Sequence, residues 1–495
     1  MLFTWKDNTQ KFAWRLNGTW FKNGNYYDGH GKEVLYSQNE KQNWAINLVY
    51  RLSPKRFIKL DFIYDLATNV GYPALPMDVS KARAVIGGIT YSSYHNIGPF
   101  TRLDLKLYHN DIYHEMDDTQ REDAFMHMDM PGWSRTTGFT FDAFDWETGN
   151  HTINFSAEYY TNFRRAEMTM YPDNGSEPPM FMFTWPDARI HGAAMGLSDH
   201  WKFGKNMLTT TLRVDYETSG VVDEIGKDQW IGMGYSMTAN RSYLLPQVKT
   251  ALTHHLNKKN SLSTAISYGM RGPTTSELYG FYLFNAHDGF DYLGNPDLET
   301  EQLLATEIDY SFASEKLKLT STVFTQFYSN YIFGLATNYD EMTYGANGVR
   351  EYHNVDKATF WGIELGTEYA FTTNLSSNVK VNYLRGFRPE YDLPLIPPLQ
   401  GTLAGNYRYK QFSFLTQSRI AAEQNHHNTE YGDRYTPGYV LLDAGVEYNL
   451  PFKRTEAVVS LSANNIFNTY YRDHLNWSGI PSMGRNLILS LKVKI

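Results

Sequence analysis

Cysteine is absent from the 495 residues of this chain. The chain therefore has no disulfide, no thiolate metal site and no cysteine nucleophile. No apolar run approaches the roughly 18 residues that a transmembrane helix requires, and the mean hydropathy is -0.48. The formal net charge of -8 is spread along the chain. This charge argues against a nucleic-acid partner.

Motifs for catalysis and export are also missing. The sequence contains no nucleophile elbow, P-loop, dinucleotide-binding fingerprint or HExxH motif. We therefore expect no enzymatic activity and no required cofactor. The first residues, MLFTWKDNTQKFAWRLN, have neither the apolar core nor the small-residue cleavage site of a signal peptide. Either the protein is not exported, or its beginning is missing.

Aromatic residues are abundant, and the dominant pattern has a period of two. Tyr, Phe and Trp make up 16% of the chain. Near the C-terminus, Leu487, Leu489, Leu491 and Val493 alternate with polar residues. Similar alternation recurs along the chain, and no stretch shows a comparable helical period. This pattern indicates half-buried β-strands throughout.

The connections between these strands alternate between short and long. Short polar turns occur at residues 53–55, 147–150, 203–206 and 257–260, whereas residues 164–190, 219–244, 271–300 and 335–358 form long stretches. Strands of about ten residues with tight turns at one end and long loops at the other predict a transmembrane β-barrel. A soluble sandwich or propeller does not sort its loops by length in this way. We predict one all-β, large antiparallel barrel domain over residues 1–495, with about twenty strands.

Five motifs follow one another in an order that resembles a known family. They are RGPTTSELYG (271–280), GNPDLETEQ (294–302), EYHNVDKATFWGIELGTEY (351–369), TPGYVLLDAGVEY (436–448) and LSANNIFNTYYRDH (461–474). Together they resemble the barrel of a TonB-dependent outer-membrane receptor. The resemblance implies 22 strands around a plugged lumen, the lipid bilayer of a bacterial outer membrane, and energy from the TonB complex acting through an N-terminal plug. With about twenty strands counted, we expect that the signal peptide, TonB box, plug and first hairpin are missing.

One strand carries a candidate metal site. Leu103, Leu105 and Leu107 share one face of a strand, which we assign to lipid, so even-numbered positions face the lumen. This parity places His114 and Met116 inside, above the membrane band. Imidazole and thioether groups suit copper and are poor ligands for calcium or magnesium.

Other methionines are weaker candidates. Met126, Met128 and Met130 lie across the loop that follows the strand of His114 and Met116. Pro131 is predicted to break the alternation of side chains in their own strand. Candidates in a ligand-binding loop are Met168, Met170, Met180 and Met182. Asp117 and Asp118 are predicted to form a solvated acidic rim. A simpler interpretation is that these methionines only fill gaps beside aromatic rings.

The segment LYHNDIYHEM (107–116) resembles the copper-receptor branch of the family. That resemblance implies a barrel His-x-Met paired with a Cys-x-x-x-Met of the plug, so that His114 and Met116 would supply the barrel half. We expect energised uptake of a scarce ligand, with a copper ion as the favoured cargo. The alternatives are an iron-siderophore or haem receptor, which would use Tyr and His in its loops, and a plugless passive channel or structural barrel.

Overall fold

A computed structural model of the chain describes residues 2–122, 126–172, 178–451 and 456–494. These residues form 25 strands, two short α-helices and two single-turn 3-10 helices. The helices are α1 (Glu224–Gly232) and α2 (Thr275–Tyr279), and the 3-10 turns span Thr429–Tyr431 and Trp477–Gly479. In chain order the strands are β1 (Leu2–Asn8), β2 (Phe12–Asn23), β3 (Tyr26–Tyr27), β4 (Glu33–Val34), β5 (Asn39–Ser53), β6 (Arg56–Val70), β7 (Asp78–Ser93), β8 (Arg102–Asp117), β9 (His127–Thr148), β10 (His151–Tyr171), β11 (Met180–Phe203), β12 (Asn206–Val221), β13 (Arg241–His255), β14 (Asn260–Arg271), β15 (Leu283–Asn285), β16 (Phe290–Leu293), β17 (Glu301–Ala313), β18 (Leu317–Ala336), β19 (Val349–Ala370), β20 (Leu375–Phe387), β21 (Gln400–Tyr409), β22 (Phe412–Ala421), β23 (Tyr439–Pro451), β24 (Glu456–Asn464) and β25 (Asn486–Lys494).

One sheet of 23 strands contains almost all of these elements. Apart from β15 and β16, its members are 21 long strands, each paired antiparallel with the next one along the chain from β1 to β25. The short strands β15 and β16 form a hairpin in a loop, and β16 pairs parallel with β19. The prediction of a large antiparallel barrel with about twenty strands is confirmed.

The connections beside the two ends of the sheet touch each other at the rim that carries the long loops. Asp28 forms an isolated antiparallel bridge with Met483, and the Tyr26 hydroxyl donates to the carbonyl of Pro481 at 2.8 Å. Among the described residues no ladder joins β1 to β25.

The alternation in the sequence separates a lipid face from a lumenal face. On β17, Leu304 and Ile308 are 41% and 52% exposed, as expected for side chains that point into lipid. Glu307 and Asp309, on either side of Ile308, line a cavity inside the barrel together with Gln326 on β18. Polar side chains therefore face the lumen, where water and one another can satisfy them.

The connections agree with the predicted sorting by length, except near residues 164–190 and at residues 349–358, which belong to β19. Tight turns join β5 to β6, β9 to β10 and β11 to β12. However, β10 continues to Tyr171 and β11 begins at Met180, with 21 and 24 residues respectively. The prediction of a long irregular stretch at 164–190 was therefore wrong. Residues 164–171 and 180–190 instead belong to β10 and β11, which extend well beyond the length needed to cross a bilayer.

No helix among the described residues is long and apolar enough to span a membrane. Both α-helices lie in connections on the long-loop side, α1 between β12 and β13 and α2 between β14 and β17. Together with the connection between β18 and β19, these segments supply residues to two buried apolar clusters.

The assignment of faces can be tested by adding a charge to each one. Ile308→Arg places a guanidinium against lipid, which costs roughly 2–4 kcal/mol near the bilayer midplane. Gln326→Arg adds the same charge on the lumenal face, beside Glu307 and Asp309, and is expected to change stability little. Urea unfolding in lipid vesicles measures both effects. Equal losses of stability in the two variants would contradict the assigned faces.

Candidate metal site

His114 and Met116 lie on the lumenal face of β8, close to its extracellular end. On the same face, the Tyr108 hydroxyl donates to Glu158 across the lumenal wall at 3.3 Å, whereas Leu107 on the opposite face is 54% exposed. His114 is twelve residues beyond Arg102, where β8 begins. At about 3.3 Å per residue and a tilt of roughly 40°, this distance exceeds the ~25 Å apolar band. Both side chains therefore lie above the membrane.

The neighbours of His114 are small. Its register partners are Ala82 on β7 and Gly132 on β9. A Cβ built on Gly132 would lie 3.7 Å from the carbonyl oxygen of His114 and 3.4 Å from Ala166. Gly132 thus leaves the wall next to the His114 backbone without a side chain.

Met116 is the first member of a row of methionines that crosses four strands. Its register partner on β9 is Met130. The pairs Gly132–Ala166 and Asp129–Thr169 place Met130 level with Met168 on β10, and Met168 pairs with Met182 on β11. Because paired residues in an antiparallel sheet project from the same face, the four thioethers line one strip of the lumenal wall.

A second row lies one step closer to the rim. Met170 on β10 pairs with Met128 on β9 and with Met180 on β11. Met170 is buried, whereas Met180 is 42% exposed. The prediction that Pro131 breaks the phase of this strand was wrong, because Pro131 pairs in register with Glu115, and Met130 beside it pairs with Met116.

Most of these side chains enter one buried cluster. Met168, Met170 and Met182 are 5–7% exposed. They pack with aromatic and aliphatic residues and with methionines from two inward connections. We call the methionine members of this assembly the methionine cluster: Met126, Met128, Met130, Met168, Met170, Met182, Met233, Met237 and Met342.

The periodicity of the sequence does not predict that loop residues complete the cluster. Trp230 on α1 is fully buried in it, and Met233, Met237 and Met342 pack against it from the loops. Period-two reasoning does not reach irregular segments, so these residues were missed. Their methionine content was the only available signal, and composition does not indicate in which direction a loop side chain points.

Unpaired backbone on β11 explains why the connections fold inward. β11 pairs with β12 only from Ala188 onward, so residues nearer the rim have one free edge. The Gln229 side chain accepts from the N–H of Phe183 at 2.9 Å and donates to its carbonyl at 3.0 Å. The N–H of Phe281 donates to the carbonyl of Thr184 at 2.9 Å. Both loops thereby satisfy the edge and cover the adjacent methionines.

Asp118 fixes the start of β9. It is only 3% exposed, accepts the N–H of Met128 at 3.1 Å and contacts His127 Nδ1. The prediction that Asp118 belongs to a solvated rim was therefore wrong. A buried carboxylate at this point holds the methionine-bearing end of β9 in register.

Arg121 anchors the same segment to the neighbouring connection. Its guanidinium pairs with Asp78 at 2.5 and 3.1 Å and donates to the carbonyls of Tyr72 and Met77 at 3.0 and 3.1 Å. It also stacks 3.6 Å from the centroid of the Tyr36 ring. The Arg121 and Asp78 side chains are 9% and 6% exposed, so this contact is a buried ion pair.

Asp291 introduces a negative charge beside the methionine cluster. It is fully buried, and its Oδ2 accepts the N–H groups of Met342 and Thr343 at 2.9 Å each. Its Oδ1 is buried without a hydrogen-bond partner among the described residues. The pKa of the nearby Tyr282 hydroxyl is raised, mainly by burial and further by the charge of Asp291.

Within the described residues, no three His, Asp or Glu side chains are grouped so that they could hold a metal ion. The side chains that do gather are thioethers with one imidazole at their border. Such donors favour copper in its softer state over calcium, magnesium or a bare ferric ion.

The fold and this lumenal site define a class of protein. The chain belongs to the TonB-dependent receptors: the family described as TonB dependent receptor-like, beta-barrel, matches residues 2–468. Members are receptors and transporters of the bacterial outer membrane, and this chain shares that location. The family implies embedding in the bilayer, interaction with TonB and a small ligand.

Several solved structures share the fold. The copper transporter OprC aligns with a TM-score of 0.83 and 19% identity, over 99% of this chain and 77% of that one. The FrpB iron transporter from Neisseria meningitidis (F3-3 variant) aligns with a TM-score of 0.71 and 14% identity, over 99% of this chain and 78% of that one. The ferric citrate transporter FecA, in its unliganded form, aligns with a TM-score of 0.74 and 14% identity, over 99% of this chain and 74% of that one. No curated protein matches the sequence.

Removal of Arg121 tests the anchoring of the methionine-bearing strand end. Arg121→Ala leaves the buried Asp78 carboxylate unpaired, and breaking a buried pair costs about 3–5 kcal/mol. We expect faster amide hydrogen exchange in residues 71–77 and 118–122, with the barrel strands still protected. Arg189→Ala is the control, because Arg189 pairs with Asp187 while 48% exposed. Unchanged exchange in Arg121→Ala would show that the ion pair does not hold this segment.

Proposed function

We propose that this chain is the barrel of a receptor that imports copper across the outer membrane with energy delivered through TonB. The main support is the lumenal pair His114 and Met116, whose strand partner is Met130. An imidazole and two thioethers within neighbouring register positions form a soft donor set. No catalytic step is part of this proposal, and copper is the cargo.

The position of this pair suits a receptor that takes up ligand from outside. The pair lies above the apolar band, on the lumenal face near the extracellular end of β8. In the proposed cycle, copper contacts His114 and Met116 together with a plug that supplies the remaining ligands. Displacement of the plug by TonB would remove those ligands and release the ion inward.

An iron receptor is the second candidate, because FrpB and FecA have the same fold. A ferric ion prefers oxygen donors, and the part of the chain that the structure describes holds no group of three acidic or histidine side chains suited to a metal. The grouping of methionines instead of carboxylates favours copper. Competition assays of uptake by cells, with ferric siderophore, haem and copper as the competing ligands, separate the candidates. Copper is expected to compete most strongly.

Direct titration tests the site. The variant His114→Ala/Met116→Ala is expected to bind Cu(I) at least about tenfold more weakly than the wild-type chain, a loss of roughly 1.4 kcal/mol or more. The control Tyr113→Ala/Glu115→Ala changes the opposite face of the same strand, where the Tyr113 hydroxyl donates to Glu115 at 2.9 Å. Calorimetry on the refolded chain measures both.

A chimera carrying the plug of a related receptor repeats the titration with a complete ligand set. Indistinguishable Cu(I) binding by wild type and His114→Ala/Met116→Ala, with and without the plug, would exclude this site as the copper site. A loss confined to Tyr113→Ala/Glu115→Ala would contradict the assigned face.

A further inference from the structure

Four arginines project from the outer surface of the barrel near the extracellular ends of β7 to β11. They are Arg83, Arg135, Arg165 and Arg189. Asp111, the register partner of Arg135, lies four residues beyond the lipid-facing Leu107 on β8. Arg189 lies six residues before Met195, which is 61% exposed on the same strand. An even number of steps along a strand keeps side chains on one face, so these arginines point away from the lumen.

The arginines alternate with aromatic rings in two rows that cross adjacent strands. The row nearer the bilayer runs from β8 to β11 through Asp111, Arg135, Phe163 and Arg189. The row nearer the rim runs from β7 to β10 through Arg83, Tyr113, Trp133 and Arg165. Because paired residues project from the same face of a sheet, the eight side chains form one continuous surface. We call this surface the arginine patch.

The arginine patch lies at the height where the apolar part of the bilayer ends. Asp111 is nine residues beyond Arg102, where β8 begins. At about 3.3 Å per residue and a tilt of roughly 40°, this row lies ~23 Å above that end, close to the edge of the ~25 Å apolar band. The Tyr113 and Trp133 rings, with centroids 5.6 Å apart, occupy the level of the aromatic girdles of outer-membrane barrels. Lipid headgroups of the outer leaflet therefore lie beside the guanidinium groups.

Two of the arginines have terminal nitrogens available to bind a ligand. Arg135 donates through Nε to Asp111 at 3.3 Å, and Arg189 donates through Nε to Asp187 at 3.2 Å. Within the described residues, the terminal nitrogens of these two side chains form no hydrogen bond. Both guanidinium carbons lie 5.7 Å from the centroid of the Phe163 ring, and both side chains are about half exposed. The two arginines therefore approach one ring from the strands on either side of it and face outward.

Carboxylates do not neutralise the four arginines completely. Asp111 is shared between Arg135 and Arg83, whose Nη2 lies 3.5 Å from it. The other two carboxylates in contact with the arginines belong to Glu167 and Asp187. Four positive charges therefore face three negative ones, and the patch retains a net positive charge.

The positive charge ends at the borders of the arginine patch. On β12 and β13, the outward pair nearest this height is Thr218 and Ser242, which are uncharged. One step nearer the rim, Lys81 and Glu115 are register partners whose charges cancel. The arginines are thus a local feature of this side of the barrel.

An apolar groove lies below the patch on the same outer surface. Its lining includes Met195 on β11, Leu212 on β12 and Val248 on β13. Met195 is six residues from Arg189 toward the periplasmic end of β11. A ligand that contacts both the groove and the patch needs an apolar part in the bilayer and an anionic part at its surface.

Phosphate is the anionic group that fits the arginines best. A guanidinium presents a planar fork of N–H donors that binds two phosphate oxygens at once. Arg135 and Arg189 hold their forks at the height of the headgroups, and the neighbouring aromatic rings suit the boundary between apolar chains and water. The ligand is therefore a lipid that carries phosphate.

We propose that the arginine patch binds the phosphate groups of lipopolysaccharide, the phosphorylated glycolipid of the outer leaflet, while its acyl chains lie along the groove. The site is on the outside of the barrel and does not depend on which cargo the lumen takes. Binding there would fix the β7–β11 wall relative to the membrane surface.

A comparison on the wild-type chain tests the role of phosphate. The full chain, refolded in detergent, is titrated with purified lipopolysaccharide and with the same lipid after chemical removal of its phosphates, and thermophoresis measures the affinities. Charge-assisted hydrogen bonds to phosphate predict that the phosphorylated form binds at least about tenfold more tightly. Equal affinities would overturn the proposal. This comparison needs no variant, so it holds even where a substitution prevents folding.

Competition with inorganic phosphate distinguishes a lipid site from a site for a free anion. Inorganic phosphate at millimolar concentration is expected to leave the lipid bound, because the acyl chains contribute contacts that the free ion lacks. Release of lipopolysaccharide by inorganic phosphate would show a free-anion site and would contradict the lipid assignment.

Variants locate the site on the barrel. Arg135→Gln/Arg189→Gln is expected to bind lipopolysaccharide at least about tenfold more weakly, and Arg135→Lys/Arg189→Lys should lose less, because it keeps the charge but not the fork. Arg385→Gln is the control, since Arg385 lies on β20, pairs in register with the outward Trp361 and contacts Asp392 at 2.9 Å. The control should bind as the wild type does.

Two results with these variants would overturn the assignment of the site. One is wild-type affinity in Arg135→Gln/Arg189→Gln, with urea unfolding showing a folded chain. The other is an equal loss in Arg385→Gln, which would show that any outward arginine has the same effect.

Discussion

Backbone pairing in hydrocarbon is the constraint on which the rest of this structure depends. Each N–H or C=O group left unpaired in a bilayer costs several kcal/mol, so a spanning chain must form helices or a continuous sheet. Here 21 strands pair in sequence, and each ladder fixes the register of the next. Once the register is fixed, the period of two assigns every side chain to lipid or to the lumen.

The candidate site follows from the same ladder. Met116, Met130, Met168 and Met182 are distant in sequence but occupy one row, because the ladders from β8 to β11 continue above the bilayer, with the register of β10 and β11 shifted around Ala166. The extra length of β10 and β11 also creates free backbone edges. The loops that satisfy these edges bring Trp230 over the row. The extended ladder from β8 to β11 thus determines both the fold of the loops and the grouping of the candidate ligands.

The features that follow from the period of two could be predicted from the sequence. The alternating leucines of β8 were enough to place His114 and Met116 on the lumenal face, and the turn lengths were enough to assign the barrel. Pro131 was misjudged because a proline loses only one donor, and the strand keeps its register through the flanking pairs. Asp118 was misjudged because its burial depends on the backbone of Met128, a contact that no local pattern encodes.

The loop residues were beyond prediction for a different reason. The contacts of Trp230, Met342 and Asp291 join connections that are separated by tens to more than one hundred residues, and no periodic pattern links them. Their arrangement follows from the unpaired edge of β11 and from buried carboxylates that select particular backbone N–H groups. Such constraints become visible only once the strands are in register.

The central claim is that sulfur, rather than oxygen, binds the metal in this receptor. X-ray absorption spectroscopy at the copper edge, on the chain loaded with Cu(I) under reducing conditions, tests this claim most directly. A first coordination shell dominated by sulfur is the predicted result. A shell of nitrogen and oxygen alone would contradict it.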